Sequence, residues 1–334
     1  MKDIKDTPIL ITGGTGFIGS FLTRHLVADG YKFLKIAGKQ TSFGEEFDGI
    51  DYVLCDLRDK INTRTVLRVR TGCPKVVIHL AADIGPIDYM QNFQADILHN
   101  NAMIDAALFS EMVKAGVETV IYASSSMVFQ NASRYPYTEE DIGNLTPPTN
   151  VYGFSKLLGE YFCKSFSKQY GLNYVILRYH NVYGPKEMAK KKGEGNIHVI
   201  PALISKVLSG QYPLEILGNP EATRPFIYID DAVRATANIL KLVLGRDKRV
   251  INNDFNVGSG KVIKIVDLAR LIWELVGDQR PFKWVSIDNE GAKNSSLRRE
   301  MDASKIASLL GWFPLVSLRE GILKTADWLK RNRQ

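Results

Sequence analysis

The chain has 334 residues, 45% of them hydrophobic and 24% charged, enough for a sizeable core in one large or two smaller domains. Its 43 basic and 36 acidic residues leave a net charge of +7, which suits an anionic small molecule as well as RNA or DNA, but no long block of one sign is present and no nucleic-acid partner is expected. Cys55, Cys73 and Cys163 form no CxxC or Cys/His metal spacing and read as reduced, mostly buried thiols; with no signal-peptide core in MKDIKDTPILI and no membrane-length apolar stretch, a cytoplasmic chain with no membrane and no metal is expected.

In chain order, ILIT (Ile9–Thr12) reads as a strand and FIGSFLTRHLVADG as a helix ending at Gly30. KFLKIA is a second strand, and YVLCDL a third with Asp56 near its end. KVVIHLAA is a fourth, Val-rich and continuous as a strand buried on both faces is. A helix from about Asn92 to Gly116 precedes a fifth strand, TVIYASSS, then the helix VYGFSKLLGEYFCKSFSKQYG and the strand NYVILRY. After Tyr183-Gly184-Pro185 comes a polar loop, KEMAKKKGEGN, whose run Lys190, Lys191, Lys192 reads as a solvated turn. A helix over Pro201–Gly210 and a strand PFIYI lead into the helix DDAVRATANILKLV. This alternation predicts right-handed βαβ units in an α/β, Rossmann-like doubly wound parallel sheet with a smaller, discontinuous C-terminal α/β lobe.

Gly14-Thr15-Gly16-Phe17-Ile18-Gly19 fits G-x-G-x-x-G, and Gly13, Gly16 and Gly19 fit G-x-x-G-x-x-G. The run follows a strand and opens a helix, so glycine-permitted turns and a helix N-terminus would meet a pyrophosphate. A triphosphate loop is not supported, because Gly260-Lys261-Val262 lacks the hydroxyl residue. Tyr152 and Lys156 stand four apart on one helical face, where an ammonium beside the phenol would lower its pKa toward working pH and make Tyr152 an acid/base. Ser124, Ser125 and Ser126 fall at a strand end, the side on which open α/β sheets bind ligands.

With TGGTGFIG at 12–19, CDLRD at 55–59, HLAA at 79–82, YASSSMVF at 122–129, YGFSK at 152–156, RYHNVYGP at 178–185, RPFIYIDDA at 224–232, FNVGSG at 255–260 and LGWFP at 310–314, the chain resembles the extended short-chain dehydrogenase/reductases that modify nucleotide sugars. HLAADIG and NNAMIDA are most similar to the GDP-mannose 3,5-epimerase branch. The resemblance implies NAD or NADP held by Gly13, Gly16, Phe17, Ile18 and Gly19, with Asp56 and Leu57 flanking the adenine and Ala81 and Ala82 lining the cleft. It implies that Ser125 bonds the reacting sugar oxygen, Tyr152 exchanges the hydroxyl proton, and Lys156 holds the nicotinamide ribose. Ser126, Asn181, His198, Arg224 and Arg298 or Arg299 would meet a nucleotide-diphosphate sugar, the arginines by their planar fork. The expected domains are 1–183 plus 225–258 for the dinucleotide and 184–224 plus 259–334 for the nucleotide sugar, in a homodimer.

Two departures matter. The second strand ends Ile36-Ala37-Gly38-Lys39-Gln40, with no acid for a ribose 2′-hydroxyl and with Lys39 able to meet a 2′-phosphate, which favours NADP. Met127 stands where the 3,5-epimerases have a cysteine base, and the acids that dehydratases place at Ser126 and Met127 are missing. His198 sits where the fucose-synthase type has its acid, but a histidine before a helix is also a common structural or phosphate-facing residue. A 4-epimerase acting through a 4-keto sugar and an NADPH-dependent 4-ketoreductase both follow; the presence of Tyr152 and Lys156 disfavours a non-catalytic dinucleotide sensor.

Overall fold

Seven short parallel strands make the frame on which everything else is hung. The structure, a computed structural model, describes residues 3–39, 47, 50–68, 72–85, 87–187, 198–287 and 297–332. Gln40 and the Lys190–Lys192 run lie outside them. The elements are β1 (Ile9–Thr12), α1 (Phe17–Ala28), β2 (Leu34–Gly38), β3 (Asp51–Leu54), α2 (Lys60–Val66), β4 (Val76–His79), α3 (Ile87–Asn92), α4 (Gln94–Ala115), β5 (Thr119–Ser125), α5 (Val151–Tyr170) and β6 (Asn173–Tyr179). There follow β7 (Val182–Tyr183), α6 (Val199–Leu208), β8 (Leu214–Leu217), β9 (Thr223–Pro225), β10 (Ile227–Tyr228), α7 (Ile229–Leu244) and β11 (Asn253–Val257). The chain closes with β12 (Val262–Lys264), α8 (Ile265–Val276), β13 (Trp284–Ile287), α9 (Ser304–Leu310) and α10 (Leu318–Arg331).

The sheet runs β11-β6-β5-β4-β1-β2-β3, so the strand order reverses between β1 and β4, the crevice where such sheets hold ligands. Side chains alternate between two buried layers. Ile9, Ile11, Ile78, Ile121 and Leu177 face the layer that holds α1, α6, α7 and α8. Leu10, Val77, Val120, Tyr122 and Ile176 face that of α4 and α5. Each such aliphatic side chain, fully buried, contributes about 1.5–3 kcal/mol. Three two-stranded sheets, β7/β10, β9/β12 and β8/β13, lie beyond residue 181. Among the described residues no helix is long and apolar enough to cross a membrane.

Some boundaries move. Asp56 lies past the end of β3, in a turn rather than in a strand. PFIYI is two strands, because β9 pairs antiparallel with β12 while β10 pairs parallel with β7, and Ile229 already opens α7. Ser126 leaves β5 for a 3₁₀ turn (Ser126–Phe129) capped by Ser125, whose Oγ accepts from Met127 N at 3.2 Å. The short helices α2, capped by Asp59, and α3 have no counterpart in the periodicity reading. Cys55 and Cys163 are buried and unpaired, and Cys73 is half-buried.

Candidate active site

At the end of β1 the chain turns sharply, and Gly13 adopts φ +67°. A Cβ there would sit 2.6 Å from Ala81 N, so the loop lies directly on the exit of β4. At Gly19 a Cβ would meet Gly13 O at 2.3 Å, which is why α1 can start flush against the turn. Gly16 caps α1 without a side chain. The first-turn N–H groups of a helix lack intrahelical acceptors, so this bare terminus is available to a phosphate. The cradle thus fits a dinucleotide pyrophosphate.

A cavity of about 1090 Å³ opens from this loop. Its walls include Gly13, Gly16, Phe17, Ile18, Gly19, Lys39, Leu57, Ala81 and Ala82 together with Ser125, Ser126, Met127, Tyr152, Lys156, Asn181, His198, Arg224 and Arg299. Two expected residues lie outside the wall. Asp56 is gripped by Arg58, whose Nε stands 3.0 Å from both carboxylate oxygens, with Lys39 Nζ more loosely at 3.8 Å. The Arg58 hydrogen bond is the main cause that holds the Asp56 carboxyl down to about 2. Arg298 pairs instead with Glu300 at 3.0 Å and lies over the Tyr135 ring, because neighbours in an extended segment point to opposite sides. Of the two, Arg299 is the one on the cavity wall.

Tyr152 and Lys156 enter from α5, whose first turn Asn150 caps by accepting from Gly153 N at 3.1 Å. Ser125, at the end of β5, and Tyr152, in the first turn of α5, share the cavity wall. Burial drives the Tyr152 phenol well above its ordinary value, and the neighbouring Ser125 hydroxyl offsets part of that. This corrects the expectation of a phenol lowered by Lys156: burial dominates, and Lys156 is itself lowered by burial. Asn101, which the sequence reading did not single out, braces the pair. Its Nδ2 donates to Ser155 Oγ at 3.0 Å and to Asp83 O at 3.0 Å, joining α4, the β4 exit and α5. Its one signal was its place in NNAMIDA.

Opposite, the buried Arg224 and the half-buried Arg299 bring two guanidiniums together. Burial and then the repulsion of Arg299 push Arg224 down to about 9. Two desolvated cations in mutual repulsion suit a bridging anion. Asn181, at φ 43°, is fixed by its bonds to Pro225 O at 2.8 Å and His180 Nδ1 at 3.1 Å. His198 caps α6, and its Nδ1 pairs with the buried Glu187. The imidazole on the cavity wall is therefore not a lone histidine but half of an acid–imidazole pair.

The sequence model of the NAD dependent epimerase/dehydratase family matches residues 9–258. The chain belongs to this family. Its members are enzymes that act on nucleotide sugars as epimerases, dehydratases or reductases. The chain is 29% identical to GDP-mannose 3,5-epimerase 1 of Oryza sativa subsp. japonica over 96% of this chain and 81% of that one. The crystal structure of the Thermotoga maritima UDP-glucose 4-epimerase with UDP-glucose superimposes with a TM-score of 0.82 at 26% identity, covering 97% of this chain and 99% of that one. An epimerase of Methanothermobacter thermautotrophicus gives 0.84 at 28% identity, covering 98% and 94%. The extended short-chain dehydrogenase/reductase resemblance and the Rossmann-like fold are thus borne out.

Proposed function

We propose that this family member is an NAD(P)-dependent nucleotide-sugar 4-epimerase working through a transient 4-keto sugar, with Tyr152 as acid/base. The observation that carries it is one cavity that brings Ser125, Tyr152 and Lys156 together with the glycine turn and with Arg224 and Arg299. When bound, the nicotinamide supplies the hydride acceptor and donor for C4. Ser125 orients the sugar C4 oxygen, and Tyr152 takes its proton and gives it back after the keto sugar has turned over. Lys156, one helical turn on, holds the nicotinamide ribose. Arg224 and Arg299 grip the diphosphate, so the sugar can rotate while its anchor stays fixed. Met127 lines the cavity where a carbon base would be needed, and a thioether takes no proton, so chemistry stays at C4. The dinucleotide is assigned to 1–183 plus 225–258 and the nucleotide sugar to 184–224 plus 259–334.

A second reading, an NADPH-dependent 4-keto-sugar reductase, uses the same residues and is favoured by the end of β2. There Gly38 offers no side chain and Lys39 follows, so among the described residues the strand end presents no acid to a ribose 2′-hydroxyl. The test is to purify the protein, identify any retained cofactor, and run UDP- and GDP-hexoses in deuterated water with product NMR. Retained NAD(H) with C4 inversion and no deuterium at C3 or C5 supports the epimerase. An empty protein that consumes NADPH only with a 4-keto sugar supports the reductase. Deuterium at C3 or C5 overturns the C4 assignment and brings His198 and Glu187 into the chemistry.

A further inference from the structure

Beneath Lys156 the fold buries a run of polar groups that the proposed reaction does not use. Thr12 and His79 are register partners at the ends of β1 and β4, with Thr12 Oγ1 2.6 Å from His79 Nδ1. His79 Nε2 lies 2.9 Å from Asp105 Oδ1 on α4, and Tyr122 Oη on β5 donates to Asp105 Oδ2 at 3.0 Å. Lys156 Nζ stands 5.0 Å from the centroid of the Tyr122 ring. All five side chains are buried. The helix makes room for this run. A Cβ at Gly159 of α5 would lie 1.8 Å from Tyr122 Oη and 2.6 Å from Asp105 Oδ2, so only glycine admits the pair there.

A buried ammonium is costly unless a negative charge answers it. Among the described residues Lys156 has no direct ion pair. The groups around it are Tyr152, Glu160 and Cys163 on its own helix, Tyr122 from β5, Asp105 from α4 and, behind Asp105, His79 from β4. Glu160 is already committed: it pairs with Arg178 at 2.7 Å through both oxygens and accepts from Ser124 at 2.6 Å. The Cys163 thiol is held neutral by burial.

We propose that Asp105 is a positioning residue for Lys156, acting through Tyr122. The carboxylate holds the Tyr122 hydroxyl, enriches the ring on which the ammonium rests, and supplies the counter-charge that keeps Nζ protonated beside Tyr152. Burial pulls the Lys156 ammonium down, and Asp105 is the largest influence pushing it back up. The same run reaches Thr12, the residue before the glycine turn, so the lysine is tied to the strand ends that carry the cofactor loop.

The proposal rests on the reading of Lys156 as an active-site lysine, and the test separates the two. In lysine-labelled protein the Lys156 side chain is titrated by NMR, its signal assigned by its loss in Lys156→Met. Asp105→Asn keeps the shape of both hydrogen bonds and removes the charge. The expected result is a fall of about one pH unit or more in the Lys156 midpoint, with kcat at neutral pH down about tenfold and substrate KM little changed. Tyr122→Phe, which keeps the ring, should shift the midpoint less in the same direction, and it reads the same link if Asp105→Asn does not fold. An unchanged midpoint in a folded variant overturns the proposal. Full activity in Lys156→Met would instead remove the active-site reading and leave the NMR result to judge Asp105 alone.

Discussion

Tyr152 carries a proton that burial makes hard to release, and Ser125 is the neighbour that eases its departure. The Ser125 hydroxyl, by donating to the phenolate, favours the form in which Tyr152 can take the sugar proton. Tyr152→Phe should lower kcat by about 100-fold or more, the scale of positioned proton transfer. NADH binding, followed by fluorescence, should survive. Near-normal turnover in that variant would remove Tyr152 from the chemistry. At the other end of the cavity Lys39 is on the wall, and Asp56 behind it is already paired with Arg58, which leaves Lys39 as the looser cation. Lys39→Ala should weaken NADP(H) about tenfold, the worth of one charge-assisted bond, and leave NAD(H) nearly unchanged. Equal losses for both cofactors would show that Lys39 does not meet a 2′-phosphate.

The elements that hold the site are locked from below by a second charged network. Arg178 on β6 pairs with Glu160 on α5 and with Asp254 on β11 at 2.8 Å, and Lys305 on α9 also pairs with Asp254 at 2.8 Å. It ties α5, and so Tyr152, to the sheet edge. Burial alone would raise the Asp254 carboxyl, but Arg178 and Lys305 outweigh it and hold it below 3.8. A carboxyl depressed on folding adds stability above its unfolded value and loses it as pH falls through the folded one. Asp254→Asn should cost about 2 kcal/mol at neutral pH and flatten the fall of Tm below about pH 4. A Tm–pH curve parallel to that of the parent protein would show that Asp254 does not titrate in folding.

Across the whole molecule, α4 and α5 pack side by side and turn large apolar groups outward: Met103 on α4, Phe154 and Tyr161 on α5, and Phe93 at the α4 cap, all exposed. Two such helix pairs, face to face, would bury these groups in a four-helix layer, which supports the homodimer expected from the resemblance. Light scattering behind size exclusion should give twice the chain mass of 37.4 kDa. Tyr161→Glu should shift the protein toward one copy. A monomeric parent protein at micromolar concentration would exclude the arrangement.

Strand–helix alternation and the glycine turn were legible in the sequence by itself, because both express local requirements. A strand buried on both faces must be apolar throughout, and a turn at φ +67° pressed against Ala81 must lack a side chain. Tyr152 and Lys156 were legible for the same reason, since a spacing of four fixes a shared helical face. Three features were decided only by the tertiary structure. The choice of Arg299 over Arg298 depends on how one extended segment is pinned beside β9, where a slip of one residue swaps the two sides. The raised phenol of Tyr152 depends on burial, a property of everything packed around it. Asp105, Tyr122 and His79 meet under Lys156 from α4, β5 and β4, and hydrogen bonds between elements far apart in the chain leave no periodic trace in the sequence.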